Sequence, residues 1–123
     1  MKIILILIIM LFSISSYSQI ELNDDNAKSK LIINNDKLIV VFFYATWSGP
    51  CQRMKPILKD LVKEYGDKVS FYKIDVDKNK SDEGLGITST PAYLFLKNSN
   101  KKGLEFRAMS KQRMKDLVDS YLD

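Results

Sequence analysis

One short segment concentrates the residue types able to do chemistry: Ala45-Thr46-Trp47-Ser48-Gly49-Pro50-Cys51. Pro50 suits the first turn of a helix. Ser48 then stands at the helix N-terminus, where unpaired backbone N–H groups favour negative charge. Cys51 follows three residues later, one turn into the helix. The segment therefore offers a hydroxyl and a thiol a turn apart. Cys51 is the only cysteine, and the chain contains no histidine. A single cysteine closes no internal disulfide, so a disulfide scaffold is excluded. Without histidine there is no Ser-His-Asp triad, no Cys-His dyad, no imidazole metal ligand and no haem attachment motif. Asp75 and Asp77 lack further ligands, so no metal and no other cofactor is expected.

The elements that must position this segment follow from apolar patterning. Leu38 to Tyr44 is a seven-residue apolar run without alternation, the pattern of a strand buried on both faces. Pro50 to Tyr65 carries Met54, Leu58, Leu61, Val62 and Tyr65 at helical spacing, and Gly66 ends it. Pro56 inside this helix removes one backbone donor and predicts a kink. Before the strand, Asn23-Asp24-Asp25 reads as the acidic cap of a first helix over Ala27 to Asn35, with Ala27, Leu31 and Ile32 on one face. After the long helix come a strand from Val69 to Val76 and a short helix or loop from Asn79 to Gly86. Then follow a strand from Ala92 to Leu96, a turn at Asn98-Ser99-Asn100 and an edge strand from Leu104 to Phe106. Ser110 caps a last helix with Met114, Leu117, Val118 and Tyr121 inward. Strand, helix, strand implies a parallel βαβ unit, and the short turn implies an antiparallel hairpin.

The chain has 123 residues, about one domain, with 46% hydrophobic and 28% charged residues. That is a globular composition rather than a disordered one. The net charge of +4 is spread along the chain, and no nucleic-acid partner is expected from it. Lys101-Lys102 and the segment from Lys111 to Lys115 read as solvated faces. The N-terminus has the layout of a secretory signal peptide: Lys2, ten apolar residues from Ile3 to Phe12, then a small polar stretch to Ser18. Ten apolar residues rise only ~15 Å as a helix, about half of a ~30 Å hydrocarbon core, so cleavage is favoured over anchoring. Ser16 and Ser18 supply small side chains for a cut before Gln19. The expected division is 1–18 signal peptide and 19–123 folded domain. The expected location is periplasmic or extracellular, without membrane attachment after cleavage.

Trp47-Ser48-Gly49-Pro50-Cys51 with Pro56 resembles the thioredoxin family, whose signature is Trp-Cys-Gly-Pro-Cys after a buried strand and before a kinked helix. Phe71 to Asp77 resembles the family's third strand and its acidic turn. Gly86-Ile87-Thr88-Ser89-Thr90-Pro91 resembles the segment ending in its cis-proline. The likeness runs through the terminal helix at Ser110 to Leu122. It implies a thioredoxin fold: an α/β domain with a central mixed sheet, helices on both faces, and a C-terminal antiparallel hairpin and helix. It also implies thiol–disulfide oxidoreductase ancestry and a peptide groove. That groove would involve Trp47, Gly49, Pro50, the Thr90-Pro91 edge and a patch at Ala108 and Met109.

Three departures from the pattern bear on activity. Ser48 stands where the family has its nucleophilic cysteine. Protein surroundings lower a thiol pKa from ~8.5 to ~3.5 at the extreme, and the same shift leaves an alcohol that starts near ~15.7 still above ~10. Ser48 stays a neutral hydroxyl, and it cannot form the mixed disulfide of thiol exchange. Phe42 stands where the family has a buried acid that relays a proton to the second cysteine, which leaves Lys73 without that partner. Arg107 stands where a glycine borders the groove. Ordinary dithiol reduction is therefore expected to be lost.

Each singled-out residue also has a purely structural role. Cys51 is either a small buried hydrophobe or a solitary reactive thiol. Ser48 is favoured as a helix cap over a catalytic group. Trp47 both packs and walls a groove. Pro91 shapes a turn that exposes the Thr90 backbone to an extended peptide. Three readings follow in order. The first is binding of extended or unfolded polypeptide. The second is single-thiol redox chemistry at Cys51, with an external thiol or disulfide partner resolving it. The third is a covalent dimer through Cys51.

Overall fold

The computed structural model describes residues 18–32 and 36–122. The expected signal peptide falls on residues outside that range except for Ser18, and so does the end of the expected first helix at residues 33–35. The elements in order are β1 (Ile20–Leu22), α1 (Ala27–Leu31), β2 (Leu38–Tyr44) and α2 (Gly49–Tyr65), followed by a 3-10 turn (Gly66–Lys68). Then come β3 (Val69–Asp75), β4 (Ala92–Lys97), β5 (Asn100–Phe106) and α3 (Lys111–Leu122). The five strands form one sheet in the order β1-β3-β2-β4-β5. β3 runs parallel to both β1 and β2, whereas β4 is antiparallel to β2 and to β5. The sheet is thus mixed.

β2 lies at the centre, and all seven of its residues are buried. Alternation splits them between two cores. Leu38, Val40, Phe42 and Tyr44 pack under α2 and α3 with Cys51, Met54, Leu58 and Met114. Ile39, Val41 and Phe43 pack on the other face with Leu22, Ala27 and Ile74. Val76, Leu85 and Ile87 of the 76–91 connection complete that second layer. An unbroken apolar strand is therefore the pattern that a central strand with two covered faces requires.

α2 continues unbroken through Pro56, and Gly66 closes it at φ 56. The hairpin β4–β5 turns on Asn98 and Ser99 alone, both at positive φ, which matches the right-handed twist of the two strands. α3 begins where the Ser110 hydroxyl accepts from Arg113 N–H at 3.2 Å. Its Tyr121 ring stacks on Phe95, centroids 4.5 Å apart. That approach needs Gly103, because a β-carbon there would sit 2.1 Å from the Tyr121 hydroxyl oxygen.

Three local expectations are corrected. The short strand β1 was not expected, and it pairs in register with Tyr72 to Ile74. β5 begins four residues before Leu104. Of the helix or loop expected over Asn79 to Gly86, the structure shows the loop, as a run of turns. The acidic cap of α1 does not form: Asn26 occupies the N-cap position with no side-chain bond to the helix, its Oδ1 accepting from Asn23 N–H at 2.8 Å, and Ile32 is exposed. Asp24 instead accepts from the N–H of Lys80 across the sheet edge, at 2.9 Å and 3.0 Å.

Candidate functional site

The site lies at the C-terminal end of β2, where the chain turns into α2. Ser48 is the N-cap residue of α2, in an extended conformation. Its carbonyl accepts the first helical bond from Gln52 N–H at 3.1 Å, and its hydroxyl oxygen accepts from Cys51 N–H at 3.4 Å. The hydroxyl is engaged with the backbone and 5% exposed, so it serves the cap and is not presented to solvent. The Gln52 side chain donates to Thr46 C=O at 2.7 Å and tightens the same turn.

Cys51 has no exposed surface and is not disulfide-bonded. Beneath it the layer is aromatic. Phe42 stacks between Tyr44 and Tyr93, with centroids 5.6 Å away on each side. In register Phe42 lies beside Lys73, so no carboxylate occupies the position below the motif. Tyr93 is fully buried, and its hydroxyl has no hydrogen-bond partner. Burial, and secondarily the neighbouring Cys51, push that hydroxyl well above the ordinary tyrosine range.

Trp47 is 77% exposed, too much for a packing residue, and acts as a wall. Its indole Nε1–H donates to the Asp77 carboxylate at 2.9 Å, which fixes the ring over the cleft. Asp75 is buried and accepts from Asp77 N–H at 2.9 Å, holding the turn after β3. Among the described residues no three His, Cys, Asp or Glu side chains gather as a metal site. Asp77 is a residue that the sequence reading did not place at the groove. Its signal was an acid two residues past a buried strand, facing the strand-to-helix turn.

Between these parts lies an open cleft of about 600 Å³. Trp47, Ser48, Gly49, Pro50 and Thr90 line it, and all of these but Ser48 belong to the groove that the resemblance implies. Asp82, Ile87 and Thr88 form the opposite wall, which the sequence reading had left out. The Thr90–Pro91 peptide is cis, and Pro91 itself is buried below the rim. Ala108 and Met109 do not line the cleft. They pack against the core under α2, and Met109 N–H points to the Met54 sulfur at 3.4 Å. Arg107 is exposed at φ 77, and its N–H donates to Pro91 C=O at 3.1 Å. A non-glycine residue is strained in that left-handed conformation, which accounts for the family's glycine there.

Comparison with known proteins matches this geometry over nearly the whole described chain. The family profile described as Thioredoxin covers residues 18–120. The chain is 30% identical over 115 residues to the chloroplastic thioredoxin M-type of Pisum sativum, spanning 93% of this chain and 67% of that protein. It is 38% identical over 104 residues to a thioredoxin of Buchnera aphidicola, spanning 84% and 94%. The crystal structure of a Malassezia sympodialis thioredoxin superposes with a TM-score of 0.77 at 28% identity, covering 89% of this chain and 96% of that one. The chain belongs to the thioredoxin family, whose members are in general thiol–disulfide oxidoreductases acting on protein disulfides.

Proposed function

We propose that this chain is an exported thioredoxin-family protein that binds extended polypeptide in the Trp47–Thr90 cleft and does not carry out dithiol reduction. One observation carries the reading. The hydroxyl of Ser48 caps α2 at the position of the nucleophile, and the one thiol behind it has no exposed surface. A dithiol exchange needs an exposed thiolate to open the partner disulfide before a second thiol resolves it. Here the first is missing and the second is shielded. The cleft keeps what recognition needs: an aromatic wall held by Asp77 and a peptide edge at Thr90 beside the cis bond.

The burial of Cys51 weighs against both single-thiol redox chemistry and a covalent dimer, because each requires contact with the sulfur. Export is supported by the layout of residues 1–18, and N-terminal sequencing of the exported protein is expected to begin at Gln19. Among the described residues no helix is long and apolar enough to cross a membrane.

The deciding experiment is the alkylation rate of Cys51 in the folded protein from about pH 4 to 10, with the unfolded chain as control. The expected result is slow reaction throughout, restored on unfolding, together with no reduction of insulin disulfides. Trp47 fluorescence is expected to shift when a reduced, unfolded polypeptide is added. Fast alkylation with a midpoint well below ~8.5 would replace this reading with the single-thiol mechanism.

A further inference from the structure

A second cavity, of about 320 Å³, shares no lining residue with the cleft. It opens between α2 and the sheet, on the side of β1 and β3. Its apolar surface comes from Phe42, Tyr44 and Val62. Around these stand four lysines. Lys55, Lys59 and Lys63 are spaced four apart along α2 and form one stripe, and Lys73 reaches the cavity from β3.

The charge here is unbalanced. No carboxylate lines the cavity. None of the four lysines forms an ion pair among the described residues, whereas Lys111 pairs with Asp60 and Glu64. The acid nearest in register is Glu21 on β1, opposite Lys73, and its carboxylate already accepts from the Tyr44 hydroxyl. Like charges four apart on a helix repel one another. Lys73 is half-buried beside Phe42, so its stem lies along the apolar floor while its ammonium adds to the positive rim. An apolar floor ringed by unpaired cations is complementary to one kind of ligand: a body without charge that carries an anionic head. The volume lies at the small end of the ~300–1,000 Å³ range of ligand pockets.

We propose that this cavity binds a small amphipathic carboxylate, its apolar chain or ring against Phe42, Tyr44 and Val62 and its carboxylate among Lys59, Lys63 and Lys73. The test is titration of the full chain with decanoate, followed by calorimetry and by backbone amide shifts, with decanol as the uncharged control. Decanoate is expected to bind one to one and to shift the amides of Phe42, Tyr44 and Lys73 while leaving Trp47 and Thr90 unmoved. Decanol is expected to bind at least about tenfold more weakly. Because the lysines are exposed or half-buried, Lys59→Gln/Lys63→Gln and Lys73→Gln should fold normally, and the double variant is expected to lose about tenfold in decanoate affinity, a few ion-pair contacts' worth. Raising the salt concentration should weaken decanoate and not decanol. Equal affinity for decanoate and decanol would overturn the proposal, as would unaltered affinity in the lysine variants or no saturable binding at all. Tight binding of an acidic peptide at these lysines, with none of decanoate, would also overturn it and mark a protein-docking surface instead.

Discussion

The cleft above Ser48 and the packed layer below Cys51 lie on opposite sides of one helical turn, and they have diverged from the family pattern to different degrees. Above, the aromatic wall, the cis peptide and the facing loop are all in place. Below, the position of an acid is filled by Phe42 in a run of stacked rings. Recognition of an extended chain depends on backbone shape and one anchored ring, properties spread over many residues and maintained by the fold itself. Exchange chemistry depends on two or three atoms of particular kinds. Replacing those atoms leaves the shape standing, so a binding surface outlasts a reaction centre. In this chain the lower layer has become an ordinary core.

The largest effect expected is on that core. Phe42→Ala removes a ring that is 2% exposed and stacked on both sides, and should cost about 3–5 kcal/mol in denaturant unfolding. If the two regions are separable, the folded fraction of this variant keeps its peptide affinity. A parallel loss of affinity per folded molecule would break the comparison.

Next in size is a gain. Ser48→Cys restores the two-thiol motif in a position whose side chain already fits the turn. Insulin disulfide reduction is expected to rise at least about 100-fold over the parent, the scale on which one positioned catalytic group acts. The same variant bears on the missing acid. If its pH–rate profile from 6 to 9 shows ionisation of the introduced thiol and no second titrating group, the aromatic layer supplies no base and Phe42 limits the recovered activity. If Ser48→Cys shows no gain at all, loss of the nucleophile is not what separates this chain from its active relatives.

How far these features could be read from the residues alone depended on how local their causes are. β2 was legible because two covered faces demand an apolar run, and α2 because its inner residues recur at helical spacing and Pro50 and Gly66 bracket it. The cap role of Ser48 followed from its place before Pro50. β1 was not legible: of its three residues only Leu22 is buried, and the strand exists through pairing with β3, about fifty residues away in the chain. β5 was read short because Lys101 and Lys102 carry no strand signature at the exposed start of an edge strand. Ala108 and Met109 were assigned to the groove by resemblance, and packing under α2 claims them instead. Asp24 was read as a helix cap from its neighbours in the chain, whereas its partners lie across the sheet edge. The four-lysine cavity was invisible for the same reason, since its residues come from β2, α2, β3 and the segment before β1.

A smaller effect sharpens the contrast from within the lower layer. Tyr93 keeps a hydroxyl that no partner satisfies. Tyr93→Phe deletes only that oxygen and retains the stack with Phe42. Stability should rise by about 1 kcal/mol, read as a higher denaturant midpoint at unchanged slope, because a buried unpaired hydroxyl is costly. A destabilised Tyr93→Phe would show that the hydroxyl is in use and that the layer is not a plain core.

The smallest effect concerns the upper region and works through pH. The loop that carries Asp82 and Ile87, one wall of the cleft, is tied to the N-terminal turn by Asp24. The Ser81 hydroxyl first, and Lys80 N–H second, hold the Asp24 carboxyl below its ordinary 3.8. A carboxyl whose folded pKa is depressed contributes stability that is present above its unfolded value and lost as pH falls through the folded one. The tether should therefore be intact at pH 5 and released only below about pH 4. Protection factors for the Lys80 and Ser81 amides, measured from pH 5 to 2.5, should fall in that window while those of β2 hold. In Asp24→Asn the same amides should be less protected at pH 5 and show no such step. Matching profiles in the two proteins would mean that the cleft wall is held by something other than this carboxylate. Peptide affinity would then follow the acid limb of global unfolding and not that of the loop.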